Sequence, residues 1–295
     1  MAKQQALCRG GAARGQVLGA VSAVAVIVGL GAALPAQAYH VQGVRHAGAF
    51  YGPVSESLVL DAQTGQVLIA QNADIPTYPA SLTKMMTLYL TFEALNSGRL
   101  RLDQLLHVSP EAASRAPTKL GLAAGESIAV RDLILGVVTR SANDAATVLA
   151  EGLAGSEPAF AALMTRKARQ LGMNQTYYRN ASGLPDPDQR TTARDIARLA
   201  LAVYHDFPRE YRYFATQEFD FRGQIVHTHN HLLEWYQGAD GIKTGYIHAS
   251  GFNIAASAVR NGRRLICVVM GGRSARSRDG EVAALLDQGF AYEAG

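Results

Sequence analysis

The sequence predicts an α+β fold in which an antiparallel sheet is built from both ends of the chain and flanked by helices, with an all-helical lobe inserted in the middle. Three observations carry this. Short β-favouring runs begin near residue 57 and return after residue 250. The text between them has helical periodicity, and a further helical pattern closes the chain.

The elements follow in order. Lys3, Arg9 and Arg14 precede the uncharged run "VLGAVSAVAVIVGLGAAL", and Ala36-Gln37-Ala38 supplies the small-x-small pattern cut by signal peptidase. Residues 1–38 are therefore expected to be a signal peptide cleaved after Ala38; the competing reading is a retained anchor, since about 18 apolar residues reach the lower limit for a span. Residues 39–54 show neither period and are expected to be a flexible lead-in to a single catalytic domain over 55–295. "SLVLD" and "QVLIA" are strands joined by a turn at Ala62-Gln63-Thr64-Gly65. A helical lobe is expected over roughly 85–190. Within it, "RDLILGVVTR" and "DAATVLAEGLAG" flank Ser141-Ala142-Asn143, and "EPAFAALMTRKARQLG" has Ser156 as N-cap, Pro158 in its first turn and Gly172 as its stop. "GFNIAASAVRNGRRLICVVMGG" reads as two strands about Asn261-Gly262, a strong hairpin signal. "DGEVAALLDQGFAYE" is the closing helix, with no C-terminal β-rich domain or amphipathic anchor expected after it.

Charge and cysteine content narrow the function classes. The net charge of +4 falls to about +1 without the three cations of the leader, which argues against a nucleic-acid partner. Cys8 leaves with the leader, so Cys267, set within "RLICVVMGG", stands alone as a small buried hydrophobe and no disulfide is expected. An exported chain without disulfides fits a bacterial periplasm or cell wall.

The chemistry lies in three short motifs. In "PASLTKMMT", Ser81 and Lys84 are three residues apart at a helix start, so a hydroxyl and an amine share one face. A serine there also lies near unpaired backbone N–H groups, which favour an oxyanion. The amine acts as a base only when neutral, and burial beside a second cation lowers a lysine's pKa. Ser141-Ala142-Asn143 falls at a helix break, where side chains can project into a cleft. Lys243-Thr244-Gly245 is expected on a strand whose period of two puts Lys243 and Gly245 on one face, Lys243 being the second cation and Gly245 permitting close approach. Each motif alone has an ordinary reading: a chance pair on a helix, a helix cap, a solvated strand lysine. The ordered set of three does not.

That set resembles the serine penicillin-binding proteins and β-lactamases, in which S-x-x-K, S-x-N and K-T-G meet in one cleft. Further stretches, "SANDAA", "NASGLPDPDQRTTARDIARLA" and "DGIKTGYIHASGFNIAASA", resemble the low-molecular-mass D-alanyl-D-alanine carboxypeptidases of serine peptidase family S11 over roughly residues 50–275. The resemblance implies a β-lactamase/transpeptidase-like fold and a serine D,D-carboxypeptidase that needs no cofactor. It also implies action on peptidoglycan stem peptides ending in D-Ala-D-Ala and acylation by β-lactams. It further implies Ser81 as nucleophile, Lys84 as general base and Ser141 as proton relay. Asn143 would hold the substrate amide and Lys84, and Thr244 with Lys243 the terminal carboxylate. The N–H groups of Ser81 and Tyr246 would form the oxyanion hole. The implied location is the periplasm, with no stable membrane anchor after signal cleavage.

Rival readings are weighed on residues. A class A β-lactamase needs a glutamate in an E-x-x-L-N element after S-x-N, whereas Glu93 in "FEALN" precedes Ser141 with the wrong spacing. A D,D-endopeptidase uses the same motifs and stays open, because some short relatives are endopeptidases. A catalytically silent wall-binding protein predicts a damaged motif, and none is damaged. His227, His229 and His231 alternate and would share a strand face. They lack a helpful carboxylate or cysteine for zinc, so they are expected at the cleft edge, His229 standing where some relatives carry a carboxylate-binding arginine. "RSARSR", residues 273–278, reads as a solvated basic loop.

Overall fold

The computed structural model describes residues 55–292, so the expected signal peptide and lead-in lie outside the described residues. In chain order the elements are β1 (Glu56–Asp61), β2 (Val67–Gln71), a 3-10 turn (Ala80–Leu82) running into α1 (Thr83–Asn96), β3 (Leu105–His107), α2 (Pro110–Ser114), β4 (Ser127–Ala129), α3 (Val130–Val138), α4 (Asn143–Ala154) and α5 (Glu157–Gln170). They continue with α6 (Ala193–Asp206), a second 3-10 turn (Glu210–Ala215), β5 (Glu218–Phe221), β6 (Gln224–His227), α7 (Leu232–Trp235), β7 (Ala239–Ile247), β8 (Gly251–Arg260), β9 (Arg263–Gly272) and α8 (Ala275–Ala291).

Five strands form one sheet in the order β2-β1-β9-β8-β7, with antiparallel neighbours throughout. The two ends of the sequence meet at β1 and β9, where Leu58 is opposite Val268 and Leu60 opposite Ile266. Both faces of this sheet are covered, which is why its strands read as near-continuous apolar runs. Leu58, Leu60, Ile266, Val268 and Met270 enter the core shared with the helices, while the alternate residues Val59, Leu265, Cys267 and Val269 pack with Val282 and Leu286 of α8. Cys267 is fully buried in that second layer.

Expected helix signals appear in place: Ser156 accepts from the Ala159 N–H, and Gly155 and Gly172 have φ of +77° and +75°. The inserted region differs from an all-helical lobe by the β3–β4 ladder, Leu105 to Ala129 and His107 to Ser127. The basic loop is also corrected. Ser274 caps α8 through a capping box with Ser277, so residues 275–278 are the first turn of that helix, and Arg278 is buried with its guanidinium on Asp279 and the Asn253 carbonyl. No helix among the described residues is long and apolar enough to cross a membrane.

Candidate active site

Ser81 lies in the 3-10 turn that opens α1, after Pro79 as N-cap and after Ala80, whose φ of +48° bends the chain into the turn. One helical turn on, Lys84 is wholly buried among apolar neighbours. Its Nζ donates to Asn143 Oδ1 at 2.7 Å and to the Ser182 carbonyl at 2.5 Å, and lies 3.1 Å from Ser81 Oγ. Burial first, and then the charge of Lys243, holds its pKa well below the usual lysine value, against an opposing pull from Asp144 and Glu157. A neutral amine has two hydrogens and one lone pair, which matches two carbonyl-type acceptors and one hydroxyl.

Ser141 and Asn143 occupy the break between α3 and α4. Ser141 has φ of +58°, left-handed backbone that a non-glycine residue seldom adopts, and Thr118 Oγ1 donates to its carbonyl at 3.0 Å. Its Oγ is buried and has no hydrogen-bond partner among the described residues. Asn143 does not cap α4. Its Nδ2 donates to the Ala116 carbonyl at 2.8 Å and its Oδ1 accepts from Lys84, so both polar atoms are committed to the protein.

Lys243, Thr244, Gly245 and Tyr246 lie on β7, the edge strand. Lys243 is 1% exposed and its Nζ donates to the Thr244 carbonyl; burial, then Arg278, lowers its pKa to about 7. Gly245 faces the Ser81 turn: a Cβ there would stand 3.0 Å from Ser81 N and 3.2 Å from Leu82 N. Its missing side chain serves the approach of another part of the protein. Tyr246 is 52% exposed and packs against Phe252 with ring centres 4.3 Å apart and planes tilted by 35°.

Ser81, Ser141, Asn143, His229, Thr244, Gly245 and Tyr246 line one cleft of about 570 Å³, and Lys84 and Lys243 lie buried behind it. The histidine trio is corrected. β6 ends at His227, Thr228 N pairs with the Gln217 carbonyl and the chain turns through Asn230, so the three share no strand face. His227 and His231 are exposed beside Glu218 and Glu234, while His229 and His231 reach the cleft. Burial, then Lys243, Arg140, His231 and Lys84, lowers the His229 pKa to about 4, so the ring is neutral at neutral pH.

Three supports were not read from the sequence. Asp144 accepts the N–H groups of Leu120, Gly121 and Leu122 at 3.0, 2.9 and 3.1 Å and so holds the loop that carries Thr118. The Ser182 carbonyl takes one Lys84 proton, and at Gly183, φ +82°, a Cβ would lie 1.8 Å from the Ala80 carbonyl oxygen. "NASGLPD" carried a signal for these only as a familiar string. Arg278 brings buried charge to the cleft wall.

The D-alanyl-D-alanine carboxypeptidase family model matches residues 54–274, which take in all three motifs. The chain belongs to that family. It is similar to D-alanyl-D-alanine carboxypeptidase DacC of Escherichia coli, at 38% identity over 243 residues, 80% of this chain and 60% of that protein. It is also similar to the family member DacB2 of Mycobacterium tuberculosis, at 30% identity over 81% of this chain and 83% of that one. Among solved family structures, penicillin-binding protein 5 of Haemophilus influenzae matches with a TM-score of 0.77 and 35% identity over 80% of this chain and 70% of its own. Penicillin-binding protein D2 of Listeria monocytogenes in its cefotaxime-bound form matches with 0.74 and 30% over 80% and 96%. The chain spans about 60% of the length of the Escherichia coli family members DacC and DacA.

Proposed function

We propose that this chain is a serine D,D-carboxypeptidase that removes the terminal D-alanine from peptidoglycan pentapeptides in the bacterial periplasm and is acylated by penicillins. The observation that carries the reading is the wholly buried Lys84 amine, 3.1 Å from Ser81 Oγ and depressed in pKa by burial and by Lys243. Family membership and the cefotaxime-bound relative support it.

Neutral Lys84 takes the Ser81 proton as Oγ attacks the carbonyl carbon of the penultimate D-alanine. The oxyanion is met by the N–H groups of Ser81 and Tyr246, each such donor being worth about 3 kcal/mol of barrier. Ser141, whose Oγ has no partner among the described residues, passes the proton from Lys84 to the departing D-alanine nitrogen as the C–N bond breaks. Neutral Lys84 then takes a proton from a water molecule as that water attacks the ester carbonyl, and it gives this proton to Ser81 Oγ as the ester C–O bond breaks. The substrate lies along the open edge of β7, its terminal carboxylate at Thr244 in the positive field of Lys243 and Arg278. Asn143 acts through Lys84, which it orients.

The test is incubation with a fluorescent penicillin and with a diacetylated tripeptide ending in D-Ala-D-Ala, repeated with Ser81→Ala. Wild-type labelling and D-alanine release, both abolished in the variant, are expected; an unlabelled wild type or an active variant overturns the reading. Cross-linked muropeptides separate the endopeptidase reading, which requires dimer cleavage faster than pentapeptide trimming.

A further inference from the structure

We propose that the end of the molecule opposite the cleft is a docking face for an anionic lipid surface. α1 starts beside Ser81 and ends at Asn96, a run of 14 residues spanning about 20 Å through the core. Features gathered at its far end therefore point away from the cleft.

Two adjoining recesses of about 300 and 470 Å³ open there, sharing Leu102, Arg212 and Tyr213. Four exposed arginines line them, Arg101, Arg131, Arg209 and Arg212, against Glu210 in the lining and Asp103 on the adjoining loop. Arg101 meets Asp103 at 3.1 Å, with both side chains in water. The other three take part in no ion pair among the described residues. Their placement is fixed by the backbone, since Arg131 N donates to the Leu102 carbonyl at 3.0 Å and ties the start of α3 to this loop.

Leu102 is 40% exposed and Leu105 63%, while Leu106, the middle residue of β3, is buried in the core. Arginines alone would serve an acidic protein or an anionic polymer in water. Leucines held outward beside them gain only where an apolar phase is offered next to the charge, and the headgroup boundary of an anionic bilayer offers both. Guanidinium forks match lipid phosphates bidentately, and the alkyl stems lie against the acyl boundary. A molecule docked this way carries its cleft about 20 Å off the lipid, open to the side away from the membrane.

The test is co-sedimentation of the exported, processed protein with vesicles of phosphatidylcholine alone and of phosphatidylcholine with phosphatidylglycerol. The variants are Arg131→Glu with Arg212→Glu, Leu105→Asp, and the charge-matched control Arg190→Glu with Arg276→Glu. Binding to the anionic vesicles only is expected, reduced at least tenfold in the first variant, several-fold in Leu105→Asp and little in the control; circular dichroism melts check that each is folded. Absent binding to anionic vesicles, equal losses in the control and the Arg131/Arg212 variant, or binding indifferent to Leu105→Asp overturns the proposal, the last in favour of an anionic polymer. Penicillin labelling reports on the cleft and leaves this face untested, so the two proposals fail separately.

Discussion

Gly245 and Ser81 are in backbone contact across the cleft floor, a Cβ on the glycine standing 3.0 Å from the serine amide nitrogen. That distance is tighter than ordinary packing, and the atoms concerned are backbone, so Gly245→Ala forces β7 and the Ser81 turn apart by a few tenths of an ångström. Oxyanion donors tolerate little displacement. Gly245→Ala is expected to remain folded and to lose at least about tenfold in the rate of penicillin acylation, read by stopped-flow labelling; an unchanged rate contradicts the contact's role.

Gly183→Ala is expected to fail differently. Its Cβ would lie 1.8 Å from the Ala80 carbonyl at a φ of +82°, so the fold itself resists. A fall in melting temperature of several degrees or more is predicted by calorimetry, larger than for Gly245→Ala.

The pH profile follows from two lysines with opposite requirements. Lys84 works when neutral, so acylation rises as pH climbs through its lowered pKa. Lys243 works when charged, so acylation falls as pH passes about 7, where it releases its proton. Lys243→Arg stays charged and should abolish the alkaline limb near neutrality while slowing the maximum. An alkaline limb that persists unchanged in Lys243→Arg assigns it to another group.

Asp144 tests the loop support. Asp144→Ala strips the acceptor from three N–H groups of the 120–122 segment and is predicted to cost about 2–3 kcal/mol of unfolding free energy. Denaturant titration measures it, and a loss below about 0.5 kcal/mol contradicts the role.

Much of this was legible in residues. Asn261-Gly262 announced the β8–β9 hairpin, and the glycine of K-T-G announced a close approach at Gly245. The β3–β4 ladder was not legible, because three residues per strand carry no readable period. The β5–β6 hairpin turns on Arg222-Gly223 with φ of +57° and +78°, and an arginine does not advertise the left-handed conformation. The Ser182 carbonyl could not be read as a Lys84 partner, since a backbone atom leaves no trace in residue type. The histidines misled because alternation in sequence implies a shared face only while the strand lasts, and β6 ends at His227.

Glu56 provides a check on buried charge away from the cleft. Burial raises its pKa from 4.5 to about 8, with Thr77 opposing. A carboxyl whose folded pKa is raised is accommodated below the unfolded value and costs stability as pH rises towards the folded one. Glu56→Gln should therefore raise the melting temperature relative to wild type near pH 8 and above, with little difference near the unfolded pKa; an equal shift at both pH values contradicts the assignment.

The account rests on Lys84 being a neutral amine beside Ser81. Titration of lysine methyl-labelled or 13Cε-labelled protein by NMR, with Lys84 assigned by the resonance absent from Lys84→Arg, measures this directly. An inflection displaced well below those of the surface lysines is predicted. A Lys84 signal that titrates together with them contradicts the account.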